Sequence, residues 1–171
     1  MPKREYTVKG ENMPADLAHL NEPTIAVLSA ISKEKGQEHY RLYDYSVNTQ
    51  KFKEYLNELR EQNGKDNIAL FMDNLAAHKS DKSKVEMARL GFRCIFNVPY
   101  SPEYNPIEFI FSKVKSKFRN LRARKLAGVI QDGHRSMIEQ SIQCVRKQDI
   151  VNCVNHVIKL IRQTSSIAGA E

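Results

Sequence analysis

The first clear hydrophobic pattern in the chain predicts a β-hairpin. Residues 24–32 are β-branched and apolar, and residues 39–47 are rich in aromatic side chains. A helix is predicted next over residues 49–62, with a cap at Asn48 or Thr49, because four apolar residues recur there at helical spacing. They are Phe52, Tyr55, Leu56 and Leu59.

Two shorter apolar runs follow, with a helix between them. Residues 67–73 predict a strand that is buried on both faces, and residues 92–98 predict another strand. Between the two runs, Ser80 can cap a helix that Gly91 ends. The apolar residues of this helix are Val85, Met87, Ala88 and Leu90. The order strand, strand, helix, strand, helix, strand predicts an α/β fold with a mixed sheet.

The remainder of the chain is predicted to be helical. Residues 99–106 hold three prolines, which predicts a rigid loop, and Pro106 suits the first turn of a long helix. The apolar stripe of that helix is Ile107, Ile110, Phe111, Val114, Phe118 and Leu121. Two more helical segments are expected, one over residues 126–145, weakened by Gly128 and Gly133, and one over residues 149–163. The stripe of the last helix, expected in the core, is Ile150, Val154, Val157, Ile158 and Ile161.

Length and composition indicate one soluble unit. The chain has 171 residues, of which 41% are hydrophobic and 27% charged, and it holds no repeat or flexible linker. It shows no apolar segment long enough for a membrane span or a signal peptide. The three cysteines form no CxxC pair, which argues for a reducing compartment. Cys144, Cys153 and His156 fit no standard zinc module and are expected to be buried structural side chains.

The net charge of +7 is concentrated in one segment. Seven of the thirteen residues from 113 to 125 are basic and none is acidic, so the rest of the chain sums to zero. These seven, the basic segment, are Lys113, Lys115, Lys117, Arg119, Arg122, Arg124 and Lys125. Such a segment is typical of a protein that binds the phosphate backbone of nucleic acid. Charge alone leaves a solvated helix face as the alternative.

Two carboxylates are candidates for chemistry. Asp73 ends a predicted strand, at the edge where α/β sheets bind ligands, and Glu108 shares a helix face with Lys115. Mg²⁺ is usually held by one or two carboxylates together with substrate phosphate, and paired metals can activate an attacking oxygen. The acids and the nearby cations therefore indicate metal-dependent chemistry on a phosphodiester. Taken singly, Asp73 is also typical of a strand-end turn and Glu108 of a helix N-terminus.

Two segments combine polar residues and prolines at fixed spacing. Residues 71–80 hold Asp73, Asn74 and His78 in the pattern D-N-x-x-x-H. Residues 97–115 hold the pattern P-Y-S-P-x-x-N-P-I-E at Pro99, Tyr100, Ser101, Pro102, Asn105, Pro106, Ile107 and Glu108, and thirty-four residues lie between Asp73 and Glu108. These two segments resemble signature blocks of the Tc1/mariner and IS630 transposases, which belong to the DDE integrase superfamily. In that family the first block holds the second catalytic Asp and the second block holds the third acid, and this spacing is that of the Tc1-like branch whose last acid is Glu.

The resemblance implies an RNase H-like catalytic core in residues 1–125, with residues 126–171 as a C-terminal helical extension of the same unit. It implies DNA as the partner, both transposon ends and target, and Mg²⁺ or Mn²⁺ held by Asp73 and Glu108. Residues expected to support the motifs are Asn74, His78, Pro102, Asn105 and Pro106, and the basic segment is expected to bind DNA. The implied location is the nucleus in a eukaryote, or otherwise the cytoplasm with the nucleoid.

The chain also departs from the family. The family's first catalytic Asp lies on the first strand of the fold, upstream of a segment that resembles residues 6–10, and neither Asp16 nor Asp44 fits its place. We expect that strand and the family's helix-turn-helix region to be missing, with residues 2–9 filling the gap in the sheet. A homodimer or a partner chain could instead supply the strand, or the sheet could close directly on itself. The expected function is a DDE endonuclease domain that is inactive alone, and the alternative is a domesticated, non-catalytic remnant that binds nucleic acid.

Overall fold

The computed structural model describes residues 23–168, which form four strands, six α-helices and a short 3-10 helix (Pro102–Tyr104). The strands are β1 (Ile25–Ser32), β2 (Gly36–Asp44), β3 (Ala69–Met72) and β4 (Arg93–Phe96). The helices are α1 (Thr49–Asn63), α2 (Ala76–Lys79), α3 (Asp81–Arg89), α4 (Pro106–Leu126), α5 (His134–Gln143) and α6 (Lys147–Ala168). In this part of the chain, no helix combines the length and the apolar character that a bilayer span requires. The strand expected at residues 2–9 lies outside the described residues.

The first two strands form the expected hairpin. β1 and β2 pair antiparallel, with a register shift after Ala30. β2 covers residues 36–44 and not the predicted 39–47. It begins earlier because Gly36 already pairs with Ser32 directly after the turn. It ends earlier because Tyr45 has a φ of 64°, which interrupts the extended backbone.

Helix α1 covers one face of both strand pairs. Its cap is Asn48, whose Oδ1 accepts a hydrogen bond from the Lys51 amide at 2.9 Å, and it ends at Gly64, which has a φ of 53°. The expected apolar face is buried and consists of Phe52, Tyr55, Leu56 and Leu59. Leu28 of β1 and Leu70 of β3 pack against this same cluster. Helix α1 therefore packs against both strand pairs.

The predicted mixed sheet is present as two separate pairs. β3 and β4 pair parallel, and hydrogen bonds from the Arg93 amide to the Ile68 carbonyl (3.0 Å) and from the Asn97 amide to the Met72 carbonyl (2.8 Å) close the ladder at its two ends. Within residues 23–168, no strand joins this pair to the hairpin. The edge of β3 opposite β4 and the edge of β1 opposite β2 therefore have no strand partner in the described part.

The prediction that β3 is buried on both faces is wrong. Leu70 and Met72 pack into the α1 cluster, but Phe71 remains 42% exposed and its neighbour on β4, Ile95, remains 53% exposed. The reason is the placement of the helices, because α1 and α3 cover one face of this pair while α4, α5 and α6 pack on the hairpin.

The C-terminal helices cover the second face of the hairpin. Their buried cluster consists of Leu42, Ile110, Val114, Ile142 and Ile150, which come from β2 and from all three of these helices. Val27 and Ile31 of β1 pack against it, so the hairpin has a helical layer on each side. The long helix begins at Pro106, as the sequence predicts. The proposed boundary at residue 125 stays a prediction.

Part of the predicted C-terminal helix pattern is wrong. The helix expected over residues 126–145 is interrupted, because α4 continues to Leu126 and Gly128 then adopts a φ of 69° before α5 begins at residue 134. In α6, Ile150 and Val157 are buried as expected, but Ile158 and Ile161 are exposed. The contacts of α6 with the hairpin cluster come from its first two turns, so the later part of its stripe extends beyond that cluster.

The region between β3 and β4 also differs from the prediction. Ser80 caps α3 through a hydrogen bond from the Ser83 amide at 3.2 Å, and the buried Met87 joins the core as expected. Val85, by contrast, is exposed. The short helix α2 before Ser80 was not predicted, because four residues are too few to show a periodic pattern.

Glu86 connects α3 to α1 through a buried carboxylate. It accepts hydrogen bonds from Arg89 at 2.6 Å and from the Asn57 side-chain amide at 2.8 Å, and it lies 3.7 Å from the Lys53 ammonium. These donors, Arg89 first, lower the pKa of Glu86 from 4.5 to about 2. The ionised carboxylate therefore favours the folded state.

We expect Glu86→Gln to lower the free energy of unfolding by about 1–3 kcal/mol at neutral pH. The folded pKa lies below the unfolded one, so this contribution is complete above about pH 4.5 and is lost as the pH falls towards 2. Urea denaturation between pH 7 and pH 3 should show a smaller acid-induced loss of stability in the variant than in the parent. Glu61→Gln, at an exposed position of α1, is the control. Equal stability of the parent and Glu86→Gln at pH 7 would contradict this role.

Candidate active site

Two asparagines connect the carboxyl ends of β3 and β4. The side-chain amide of Asn74 donates to the Asn97 carbonyl at 2.8 Å, and the Asn97 amide donates to the Met72 carbonyl at 2.8 Å. Neighbouring parallel strands end at the same edge of a sheet, which is where α/β proteins bind ligands. Asp73 lies at this edge, directly after β3.

Asn97 also holds the loop that follows β4. It is buried, its Oδ1 accepts a hydrogen bond from the Val98 amide at 2.9 Å, and its Nδ2 donates to the Ser101 carbonyl at 2.7 Å. Within this loop, Tyr100 has a φ of 58°. The sequence identifies the loop by its prolines but gives no sign of what Asn97 does.

The proline loop leads directly to the second acid. Pro106 is the first residue of α4, and the Glu108 amide donates to the carbonyl of the buried Asn105 at 3.1 Å. The Asn105 amide in turn donates to the Pro102 carbonyl at 2.9 Å. Glu108 and Asp73 line one cavity of about 430 Å³. The fold thus brings together two carboxylates that are far apart in the sequence.

Most of the predicted supporting residues lie at this cavity. Asn74, Pro102 and Asn105 line it. Its other lining residues in the described part are Lys79, Asn97, Val98, Pro99, Tyr100 and Ser101. Lys79, Asn97 and Val98 are not identified as site residues by any sequence pattern described above. Lys79 directly follows the D-N-x-x-x-H block, which is the one signal that could have identified it.

Hydrogen bonds orient the Asp73 carboxylate through one of its oxygens. Oδ1 accepts a hydrogen bond from the Leu75 amide at 3.1 Å and lies 2.7 Å from Nδ1 of His78. An ionised carboxylate can only accept, so Nδ1 of His78 carries the proton. No group in residues 23–168 donates to Oδ2, which leaves this oxygen for a ligand in the cavity.

His78 is a buried support for Asp73. Its ring lies 4.4 Å from the Phe52 ring, centroid to centroid, and only 9% of the residue is exposed. Its Nε2 atom is buried without a hydrogen-bond partner among the described residues. Helix α1 therefore fixes one side of the ring while Nδ1 fixes the carboxylate, so His78 positions Asp73 without lining the cavity.

The donor set at the cavity suits a hard divalent cation. Asp73 and Glu108 are the two acids that line it in the described part, where no group of three His, Cys, Asp or Glu side chains is arranged to hold a metal. Carboxylate oxygens suit Mg²⁺ and Mn²⁺, and one or two of them are enough when water and phosphate complete the shell. The two acids therefore fit a metal that is also held by its substrate.

The cysteines take no part in this site. Cys144 and Cys153 are half-buried free thiols, and His156 is exposed, with its ring 5.3 Å from that of Phe109. The expectation that all three are buried is therefore wrong: His156 is exposed and the two thiols are only half-buried, because it is the side of α6 that carries Val157 that is buried here.

The basic segment is divided between two sides of α4. Lys115, Arg119 and Arg122 follow Glu108 by seven, eleven and fourteen residues and so share its face. Lys117 and Arg124 follow Lys113 by four and eleven residues and lie on the other flank of the apolar stripe. Lys113 forms an ion pair with Asp149 of α6 at 2.5 Å. Lys125 lies between the two groups. We call Lys115, Arg119 and Arg122 the Glu108-side cations.

Comparison with protein families gives one match. The model of the DDE superfamily endonuclease family matches residues 1–129 of the chain. This range includes both acids and the whole basic segment. No curated protein sequence is significantly similar to the chain.

Solved structures of the Mos1 transposase are similar to this one. Its strand transfer complex matches with a TM-score of 0.60 and 14% identity, over 92% of this chain and 47% of that chain. Its paired-end complex with the left transposon end matches with a TM-score of 0.59 and 14% identity, over 92% and 47%. Its catalytic domain with raltegravir and Mg matches with a TM-score of 0.57 and 13% identity, over 77% and 68%.

These similarities confirm the predicted RNase H-like α/β fold. The chain covers 47% of the transposase in the two Mos1 complexes and so spans about half the length of that protein.

Proposed function

Because the chain belongs to the DDE superfamily of endonucleases, we propose that it is a transposase domain that acts on DNA phosphodiesters with a divalent metal. The observation that carries this proposal is the placement of Asp73 and Glu108 at one cavity. Glu108 also lies in the first turn of α4, and three cations follow it on the same face of that helix. The Mos1 complexes, one of them with a transposon end, support transposon-end and target DNA as the partner.

Each acid has a role that follows from its surroundings. Asp73 would hold the metal through Oδ2, because Oδ1 is engaged by His78 and the Leu75 amide. Glu108 would hold it from the first turn of α4, where a stiff loop limits the motion of the side chain. When bound, Mg²⁺ or Mn²⁺ supplies Lewis-acid stabilisation of the charge on the phosphodiester oxygens.

The other charged residues bind and orient the nucleic acid. The Glu108-side cations would contact consecutive phosphates along α4 and so direct one phosphodiester towards the two acids. Lys79 lines the same cavity and would attract the phosphate that enters it. In a cell, such a domain would work in the nucleus of a eukaryote or with the nucleoid of a bacterium.

We further propose that the chain does not transfer DNA strands alone. Only two acids of the described part line the cavity, whereas a pair of metals needs more carboxylate ligands. A third acid would come from outside the described residues, either from the same protein or from a homodimer or partner chain that adds a strand beside β3.

Metal binding tests the assignment of the two acids. We expect Asp73→Asn and Glu108→Gln each to weaken Mn²⁺ binding, followed by electron paramagnetic resonance of the free ion, by at least about tenfold. Glu103→Gln is the matched control, because this acid lies in the same loop but does not line the cavity. Equal Mn²⁺ affinity in all four proteins would remove the proposed metal site.

DNA assays test the activity. We expect the chain to bind duplex DNA and to leave candidate transposon ends uncut in Mg²⁺ or Mn²⁺. Robust nicking that Asp73→Asn or Glu108→Gln abolishes would overturn the inactivity and establish an enzyme. A chain that does not bind DNA even at low salt would overturn the proposed function itself.

A further inference from the structure

Asn97 lies between the end of β3 and the loop that leads to Glu108. It is only 7% exposed, although it lines the cavity of the two acids. Its backbone amide donates to the Met72 carbonyl at 2.8 Å, and its carbonyl accepts a hydrogen bond from the Asn74 side chain at 2.8 Å. The backbone of Asn97 is therefore fixed to the residues directly before and after Asp73.

The Asn97 side chain is connected to the second acid. Its Nδ2 donates to the Ser101 carbonyl at 2.7 Å, and the same carbonyl accepts a hydrogen bond from the Tyr104 amide at 3.3 Å. Ser101 directly precedes the short 3-10 helix, and the buried Asn105 joins that helix to α4. Because Glu108 lies in the first turn of α4, a short and stiff path leads from the Asn97 side chain to this carboxylate.

Packing gives the loop after β4 little support. Five of the six residues from 98 to 103 are exposed, and Ser101 is the exception. Residues that bury little apolar surface gain little from the hydrophobic effect, so the position of the loop depends on its hydrogen bonds. A buried polar group is costly to leave without its partner, and the bond from Asn97 to Ser101 is therefore a strong constraint on the loop.

The Asn97 side chain is not itself free to bind a metal. Its Oδ1 accepts a hydrogen bond from the Val98 amide at 2.9 Å, while its Nδ2 is engaged by the Ser101 carbonyl. Both polar atoms of the side chain thus serve the loop, and any effect of Asn97 on a bound ion passes through the two acids.

We propose that Asn97 is a positioning residue that fixes Glu108 relative to Asp73 and thereby fits the pair of carboxylates to Mg²⁺. This inference rests on the proposed function. Mg²⁺ demands near-ideal octahedral geometry at short ligand distances, whereas Ca²⁺ accepts a variable number of oxygen ligands in flexible arrangements. A site whose carboxylates are displaced therefore loses Mg²⁺ before it loses Ca²⁺.

Competition binding tests the positioning role. Mg²⁺ and Ca²⁺ are each titrated against bound Mn²⁺, and electron paramagnetic resonance measures the Mn²⁺ that is released. We expect Asn97→Ala to weaken Mg²⁺ binding by about 10- to 100-fold, as is typical when a residue that orients metal ligands is replaced. Ca²⁺ binding should weaken much less, so that the ratio of the two affinities changes. A loss of charge or of folded protein would weaken the binding of both ions alike.

Asn63→Ala is the matched control. Asn63 is also 7% exposed and its side chain donates to the Leu59 carbonyl at 2.9 Å, but it lies at the end of α1 and does not line the cavity. We expect this variant to lower the melting temperature, because it removes a buried hydrogen bond, and to leave the affinities for Mg²⁺ and Ca²⁺ unchanged.

Asn97→Ser is a second variant that carries less risk to folding. Its hydroxyl keeps a polar atom at the buried position, but it does not extend as far as Nδ2 of Asn97 and so loses the bond to Ser101. It should change the ratio of affinities in the same direction as Asn97→Ala.

The outcomes separate this inference from the proposed function. Parent affinities in the folded Asn97 variants, or an equal loss of Mg²⁺ and Ca²⁺ binding, would overturn the positioning role and leave the proposed metal site standing. A parent chain that does not bind Mn²⁺ would overturn both.

Discussion

Replacing Lys115 and Arg119 together by alanine is expected to weaken the binding of duplex DNA about 60-fold at about 0.1 M salt. Each phosphate contact contributes about 0.9 to the slope of log affinity against log salt, so two contacts contribute about 1.8. We expect fluorescence anisotropy over a range of salt concentrations to show a slope that is shallower by this amount. Both side chains are exposed on the face of α4 that begins at Glu108.

The matched control removes the same charge from the other flank of the helix. Lys117 and Arg124 can be replaced by alanine without touching the Lys113–Asp149 ion pair that holds α4 to α6. We expect this double variant to retain most of the affinity and the parent slope. Equal losses in the two double variants would mean that the basic segment acts through net charge alone. An unchanged slope in the first variant would mean that its face does not contact DNA.

The site could be predicted from the sequence to the extent that it depends on local signals. Asp73 ends a strand that its apolar residues identify, and Glu108 follows a loop that its prolines identify. Because the two sequence blocks match the same family, they relate the two acids to each other. The split of the basic segment also follows from helical periodicity, since Lys115 and Lys113 differ by two positions and so face different ways.

Features that depend on tertiary approach could not be predicted. Asn97 supports the site because the ends of β3 and β4 come together, and nothing in its neighbours shows this. The exposure of Phe71 also depends on tertiary structure. A short apolar run has the same sequence pattern whether helices cover one face of its strand or both faces. The two-part sheet depends on which strands are adjacent, and apolar pattern alone does not give adjacency.

Helix α1 packs against both strand pairs, and the outer edges of β1 and β3 have no strand partner in the described residues. In the described part, no strand joins the hairpin to β3 and β4, and the buried cluster that includes Leu56 is in contact with both pairs. We therefore expect the two pairs to depend on this cluster for their common stability.

Leu56→Ala is expected to lower the free energy of unfolding by about 2–5 kcal/mol, because Leu56 is 1% exposed and its truncation leaves a cavity under α1. Hydrogen exchange should show that the amides of Leu28 in β1 and Leu70 in β3 lose protection together. Leu126→Ala, at the exposed end of α4, removes the same atoms and should change stability by less than about 0.5 kcal/mol. If Leu70 alone became exposed to exchange while Leu28 kept its protection, the hairpin would be stable without α1, and the C-terminal helices would be sufficient to hold it.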